Sequence, residues 1–333
     1  MSSRATAFKM NNTFVRPEMF YISGLQDMPF VNYFYIFLVV VYILTMFSNI
    51  FVIVLIYLEQ TLHSPKYFAV SQLAFADLCA TTAVIPKVID TFLFNSNFIR
   101  YDECLANMFF VHCFTAVQSL SLAILAYDRL LAICFPLQYH SINTNSRMML
   151  IIFSVWLFTA VVIFVTVILI TRLSFCKSTV INSYFCDHGP VYRLACNDTS
   201  LNFIMAFTNI VLFLFVSLAF ILFTYLAIGL ALLKIATSEG RQKALKTCTS
   251  HIILVAVFYI PLAVTYLMEQ MHMSNSNARI LNNLLSATVP PILNPVIYTL
   301  KTEEMMKSIT KYVKRKQVQN NMYKLYVKCT LMS

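Results

Sequence analysis

The chain has 333 residues, of which 59% are hydrophobic and only 11% charged, with a mean hydropathy of +0.73. Soluble domains are about a quarter charged, so an ordinary water-soluble fold is excluded, and a total of four glycines excludes collagen-like and Gly-rich linker classes. The net charge of +10 does not point to nucleic acid, because Lys and Arg fall in short segments between apolar runs and in the tail rather than on one binding face.

Residues 1–30 lack an apolar core followed by a small-residue cleavage site, so they do not read as a cleavable leader. Asn11-Asn12-Thr13 is a glycosylation acceptor sequence on Asn11 and fits an extracellular segment. Seven apolar runs follow, near 31–57, 67–93, 105–133, 148–171, 202–234, 243–268 and 281–300. Each has about the 20 residues that a membrane-crossing helix needs. No repeat is visible, and no two runs look like the halves of a transporter.

The predicted fold is an all-α membrane protein: an extracellular segment over 1–30, a seven-helix bundle over 31–300 and a basic cytoplasmic tail over 301–333. With the N-terminus outside, fifteen of the 24 basic residues fall on the inner side, as the positive-inside rule requires. In the tail, Met305, Met306, Ile309 and Val313 can face lipid while Lys307, Lys311 and Lys314 face headgroups, which predicts a short amphipathic helix. Cys329 lies far beyond that helix, a weak candidate for palmitoylation.

Charges inside the runs are few, and an intramembrane ionisable group is a functional candidate by default. Asp77 sits deep in the second run, while Lys87 and Asp90 near its outer end are spaced to pair on one helix face. The third run closes with Asp128-Arg129 at the inner interface, and Phe135-Pro136 ends the helix because proline has no N–H and its ring clashes with the preceding turn. That pair reads as a latch on the cytoplasmic side. Cys104, Cys176, Cys186 and Cys196 all lie on the outer side, an even number in the oxidising compartment, which predicts two disulfides with three possible pairings.

Five stretches together carry a resemblance. Leu125-Ala126-Tyr127-Asp128-Arg129 precedes Ala132-Ile133-Cys134-Phe135-Pro136-Leu137; Leu62-His63-Ser64-Pro65-Lys66-Tyr67-Phe68 leads into Leu73-Ala74-Phe75-Ala76-Asp77-Leu78-Cys79. Lys243-Ala244-Leu245-Lys246-Thr247-Cys248-Thr249-Ser250-His251 opens the sixth run, and Pro291-Ile292-Leu293-Asn294-Pro295-Val296-Ile297-Tyr298 closes the seventh. The second outer loop contributes Phe175-Cys176, Phe185-Cys186-Asp187 and Leu194-Ala195-Cys196. Over about residues 20–310 the chain resembles olfactory (odorant) receptors, a branch of the rhodopsin-like G-protein-coupled receptors.

The resemblance implies a switch in which Arg129 pairs with Asp128 at rest and turns toward Tyr225 and a G protein on activation, a role suited to a forked, always-charged guanidinium. Lys243, Lys246 and His251 would line the moving inner end of span six, and Asn294-Pro295 would break span seven one turn before Tyr298. Asp77 would face Asn294, with Asn49 and Gln118 completing an intramembrane polar site. Gln118 is neutral where relatives often carry Glu, so no metal is assigned there, sodium included. Cys104 would pair with Cys186 and Cys176 with Cys196.

The ligand cavity would lie in the outer half of the bundle. On span three His112, Thr115, Ala116 and Ser119 share one helix face. Facing them would be Asn209 and Phe213 on span five, Tyr259, Leu262 and Tyr266 on span six, and Leu284 and Thr288 on span seven. The implied partners are a small-molecule odorant, a heterotrimeric G protein of the stimulatory olfactory class that raises cyclic AMP, and membrane lipids, with no cofactor. The implied location is the plasma membrane, in olfactory sensory neuron cilia.

Other readings fit less well. Val111 stands where amine receptors of this superfamily carry an acid, and span seven has no lysine for retinal. A transporter or channel would need paired intramembrane charges along a path, and an enzyme would need a nucleophile–base set or metal cluster at mid-depth. Ser48-Asn49, Lys66 and the Phe258-Tyr259-Ile260-Pro261 stretch depart from the usual family pattern, which suggests a divergent or aquatic-type branch and admits water-soluble odorants.

Overall fold

In hydrocarbon a backbone must satisfy its own hydrogen bonds, which leaves an isolated apolar run only the helix. The computed structural model describes residues 15–25, 31–94, 96–233, 237–270, 276–301 and 304–311, and in it all seven runs are helical. They are α1 (Val31–Leu58), α2 (Pro65–Leu93), α3 (Tyr101–Cys134), α5 (Asn145–Ile170), the continuous pair α7 (Ser200–Ile210) and α8 (Ser217–Leu233), α9 (Ser238–Gln270) and α10 (Ser276–Lys301). Short helices α4 (Tyr139–Ile142) and α6 (His188–Tyr192) lie in the loops, and α11 spans 304–311. The chain is a multi-pass membrane protein with seven helices long and apolar enough to cross a bilayer.

The helices start earlier than the apolar runs do. α3 begins at Tyr101, α9 at Ser238 and α10 at Ser276, because the first turn of each is polar and lies outside the hydrocarbon. Local signals set some of these starts. Pro65 opens α2 at a position where its missing N–H has no helical partner to lose. Thr144 caps α5 by accepting from the Arg147 N–H at 3.3 Å, and Glu103 folds back on Arg100 at the start of α3. A π-helical turn over Val211–Val216 joins α7 to α8, a feature common at functional sites and invisible to hydropathy.

Outside the membrane the fold is not purely helical. Strand β1 (Met19–Ile22) pairs antiparallel with β2 (Phe98–Arg100) and parallel with β3 (Val180–Ile181). These strands of two to four residues are too short to show an alternating pattern, so the all-α expectation missed them. Phe20 of β1 is fully buried, with ring centroids 5.3 Å from Phe175 and 6.0 Å from Tyr101. The sheet thereby ties the N-terminal segment and the second outer loop to the top of α3.

Inside, an inner-half core runs from Val52 and Leu73 through Leu125 to Leu254 and Tyr298. An outer-half core joins Cys104, Met108, Ile163, Cys186 and Phe213. Large apolar side chains such as Phe47, Leu157 and Phe223 point outward, where a lipid-facing surface needs them. The tail helix departs from its expectation: Met305 is not on the lipid side but fully buried in the inner core, with Ile309 packed beside it and Met306 left partly exposed. Val313 and Lys314 lie outside the described residues.

Candidate functional site

The outer end carries a fastened lid. Cys104 and Cys186 are joined, with their Cα atoms 5.3 Å apart, and Cys176 is joined to Cys196 at 5.8 Å. Asn107 secures the first of these: its amide donates to the Ala83 carbonyl at 2.9 Å and its oxygen accepts from the Cys186 N–H at 3.1 Å. Having Cys186 at the top of α3 forces its neighbour Asp187 onto His112, Oδ1 to Nε2 3.3 Å. On the opposite side the Tyr184 hydroxyl reaches the Asn283 carbonyl at 3.4 Å, and Arg279 donates to the Asn182 carbonyl at 2.9 Å. The lid is thus bonded to both α3 and α10.

Charge at this lid is finely placed. Burial alone would push the Asp187 carboxyl up, but the hydrogen bond and charge of His112, with His188 and Arg279 nearby, outweigh it and hold the group below the usual carboxylate range. His188 is pushed down to about 4, first by burial and then by His112. It is therefore neutral at physiological pH, its ring 5.2 Å from that of Tyr192.

Below the lid, Ser119, Ser217 and Tyr259 close a triangle of hydroxyls, 2.8 Å between Ser119 and Tyr259 and 2.9 Å along each of the other sides. The Phe213 carbonyl of the π-helical turn accepts from Ser217 at 2.7 Å and also from Ser119. Nearby, Asn282 donates to the Pro261 carbonyl at 2.8 Å and to Thr265 at 2.9 Å, and Thr265 also bonds Asn283, so a polar rung joins α9 to α10.

At mid-depth both oxygens of the Asp77 carboxylate accept from amides. Gln118 Nε2 donates to Oδ1 at 2.7 Å and Asn294 Nδ2 to Oδ2 at 2.8 Å. Asn49 donates to the carbonyls of Thr45 and Pro291, both at 2.9 Å. The second bond has a clear cause. Pro295 lacks the N–H that would bond the carbonyl four residues back, and Asn49 supplies the missing donor across the bundle.

At the inner end Asp128 and Arg129 form no ion pair. Successive residues on a helix do not face each other, and Asp128 Oδ1 instead accepts from the Tyr139 hydroxyl at 2.7 Å and Asn143 Nδ2 at 2.8 Å. Arg129 points inward, within electrostatic reach of Tyr225, Cys248, His251 and Tyr298. Tyr225 is already committed, its hydroxyl 2.7 Å from His251 Nδ1. Arg129 Nε is buried without a hydrogen-bond partner, and the Tyr298 hydroxyl is buried beside the guanidinium.

The family model described as "Olfactory receptor" matches residues 38–316. Mouse "Olfactory receptor 8G17" is 34% identical over 296 residues, covering 88% of this chain and 96% of that protein. Human "Olfactory receptor 51F2" is 32% identical over 314 residues, covering 94% and 92%. The chain belongs to the olfactory receptor family. It is an odorant-sensing G-protein-coupled receptor rather than an enzyme.

Within this receptor the expected ligand residues do not all face one space. His112 is engaged by Asp187, and Thr115 bonds back to the Val111 carbonyl at 2.8 Å. Ala116 and Phe213 are buried in the outer core. Asn209 turns away toward α5 and donates to Thr166 at 2.9 Å. Leu284 packs with Tyr35, Leu38 and Val84 against α1 and α2, and Thr288 bonds the Leu284 carbonyl. Leu262 and Tyr266 remain partly buried on α9. Lys246 is exposed at the inner end of α9. The Lys243 side chain, Asn11 and Cys329 lie outside the described residues.

Sequence reasoning missed Asp187, Tyr139, Asn143, Thr265 and Asn282. Asp187 could have been found, because the residue after a cysteine bonded to Cys104 must arrive near the top of α3. Tyr139 and Asn143 had a weaker signal, two polar groups on the short segment just past the Phe135-Pro136 stop.

Proposed function

We propose that this receptor binds a small odorant in the outer half of the bundle, beneath the lid, and activates a stimulatory, olfactory-type G protein that raises cyclic AMP. Its site of action would be the plasma membrane of olfactory sensory neuron cilia. The observation that carries the coupling reading is the state of Arg129: buried, unpaired with Asp128 and with its Nε lacking an acceptor. A buried donor left without an acceptor costs about 1–3 kcal/mol, so the inner end is poised to exchange its present packing for one that supplies partners.

In this reading the ligand shifts a population. Contacts with the Ser119–Ser217–Tyr259 triangle, His112, Leu262 and Tyr266 favour a state in which α9 moves at its inner end. His251 leaves Tyr225, Arg129 turns to Tyr225 and the G protein, and Asn294, Pro295 and Tyr298 adjust α10. Lys243 and Lys246 meet the G protein. Gln118 and Asn294 present amide donors to both oxygens of Asp77, an arrangement that favours hydrogen bonding over a cation.

The test is cyclic AMP in cells co-expressing the chain with an olfactory-type G protein, challenged with a panel of amines, acids, aldehydes, alcohols and amino acids. A response from the receptor that is lost in Arg129→Ala at equal surface expression is the expected result. A response that persists without any G protein, above all as an ionic current, would overturn the coupling reading.

A further inference from the structure

Two charged contacts join the tail helix α11 to the first inner loop and to the start of α2. Lys311 Nζ lies 2.7 Å from Glu59 Oε1, and the Glu59 side chain is only 16% exposed. At the other end of α11, Glu304 Oε2 accepts from the Tyr67 hydroxyl at 3.2 Å and stands 3.8 Å from Lys66 Nζ. Lys66 in turn sits 4.9 Å from the centre of the Tyr67 ring. Between these contacts Met305 and Ser308 are buried and Ile309 packs against the inner core.

The geometry points to an electrostatic clasp, in which Glu59, Lys66 and Tyr67 are positioning residues that hold α11 against the first inner loop and the start of α2 and so set the coupling surface beside Tyr298. A helix of this described length, 304–311, does not persist alone in water. Its apolar side is one turn deep, and the two charged contacts, one of them to a mostly buried carboxylate, decide whether it stays docked. The clasp joins the start of α2 to α11, so it ties the segment that packs beside Tyr298 to a part of the bundle that the proposed movement of α9 leaves in place. This inference rests on the coupling reading above for its effect on signalling, while the clasp itself is a statement about docking.

The experiment uses the full-length receptor in inside-out membrane vesicles carrying Ser308→Cys as a reporter, treated with a charged maleimide and read at that peptide by mass spectrometry. Basal cyclic AMP is read in parallel in cells with an olfactory-type G protein, with Arg129→Ala as the coupling control. Glu59→Lys or Lys311→Glu alone should speed labelling at least about fivefold, the population change expected on losing a strong surface pair and adding repulsion. The swap Glu59→Lys with Lys311→Glu should return it to the starting rate, and Lys66→Met should give a smaller rise. Basal cyclic AMP should fall and recover in the same order. Unchanged labelling in the single reversals, or a swap that does not restore it, overturns the clasp. Labelling that follows the charges while cyclic AMP responds only to Arg129→Ala overturns the positioning role. A cyclic AMP signal that ignores Arg129→Ala as well sinks the coupling reading instead, and labelling then decides the clasp alone.

Discussion

The mid-membrane site and the inner end use similar residues to opposite effect. Around Asp77 both carboxylate oxygens have a donor, and Asn49 fills the gap that Pro295 opens in α10. Around Arg129 the guanidinium Nε is buried without a hydrogen bond, and the neighbouring carboxylate is taken by a loop. Asn49 Oδ1 is itself buried without a donor, so the first network is not complete, but its charged member has both oxygens bonded, whereas at the inner end the charged group is the one left short. The first region reads as the fixed point of the bundle and the second as the part built to change.

That contrast breaks most sharply at Asp77. Asp77→Ala strands two buried amides and should cost about 3 kcal/mol or more, seen as a large drop in melting temperature of the detergent-purified receptor. If the stability is unchanged, the mid-membrane site is not the fixed point. At the lid, Cys186→Ser should cost about 2–4 kcal/mol by releasing the loop and lower surface expression, whereas the same change at Cys248, in the inner half, should leave the lid intact under non-reducing conditions.

A pH series separates the lid from both. His188 binds its proton at about 4 when folded and near 6.5 when unfolded, so below pH 6.5 the unfolded chain takes up a proton that the folded chain refuses. Stability on this account is flat above pH 6.5 and falls as pH drops, by about 2 kcal/mol between pH 7 and 5. Melting temperatures of the receptor and of His188→Phe at the two pH values test it, and the variant should lose that part of the slope. Asp187 adds a loss only at lower pH, as pH falls through its depressed folded value.

Smaller effects sharpen the inner half. Asn49→Ala should cost about 1–2 kcal/mol by leaving the Pro291 carbonyl without its donor. Tyr139→Phe removes one of the two bonds holding Asp128 away from Arg129, and at about 1 kcal/mol it should reduce ligand-evoked cyclic AMP roughly fivefold without altering melting temperature by more than a few degrees. An unchanged response would mean that the loop does not control Arg129.

Apolar length alone made the seven spans legible, because the bilayer imposes helix on any such run regardless of its neighbours. Asp77 and Arg129 stood out for the same reason, as charges where hydrocarbon disfavours them. What no run of residues could reveal is which partner each polar group selects. Asp128 turns to Tyr139 and Asn143 because adjacent helix positions diverge, Asn209 bonds Thr166 of α5, and Met305 is buried in the inner core. The small sheet and the Asp187–His112 contact likewise needed a disulfide and three distant segments to meet. Membrane burial is a property of one segment and can be read from it, but hydrogen-bond choice depends on distances between segments, and only the packed bundle sets those.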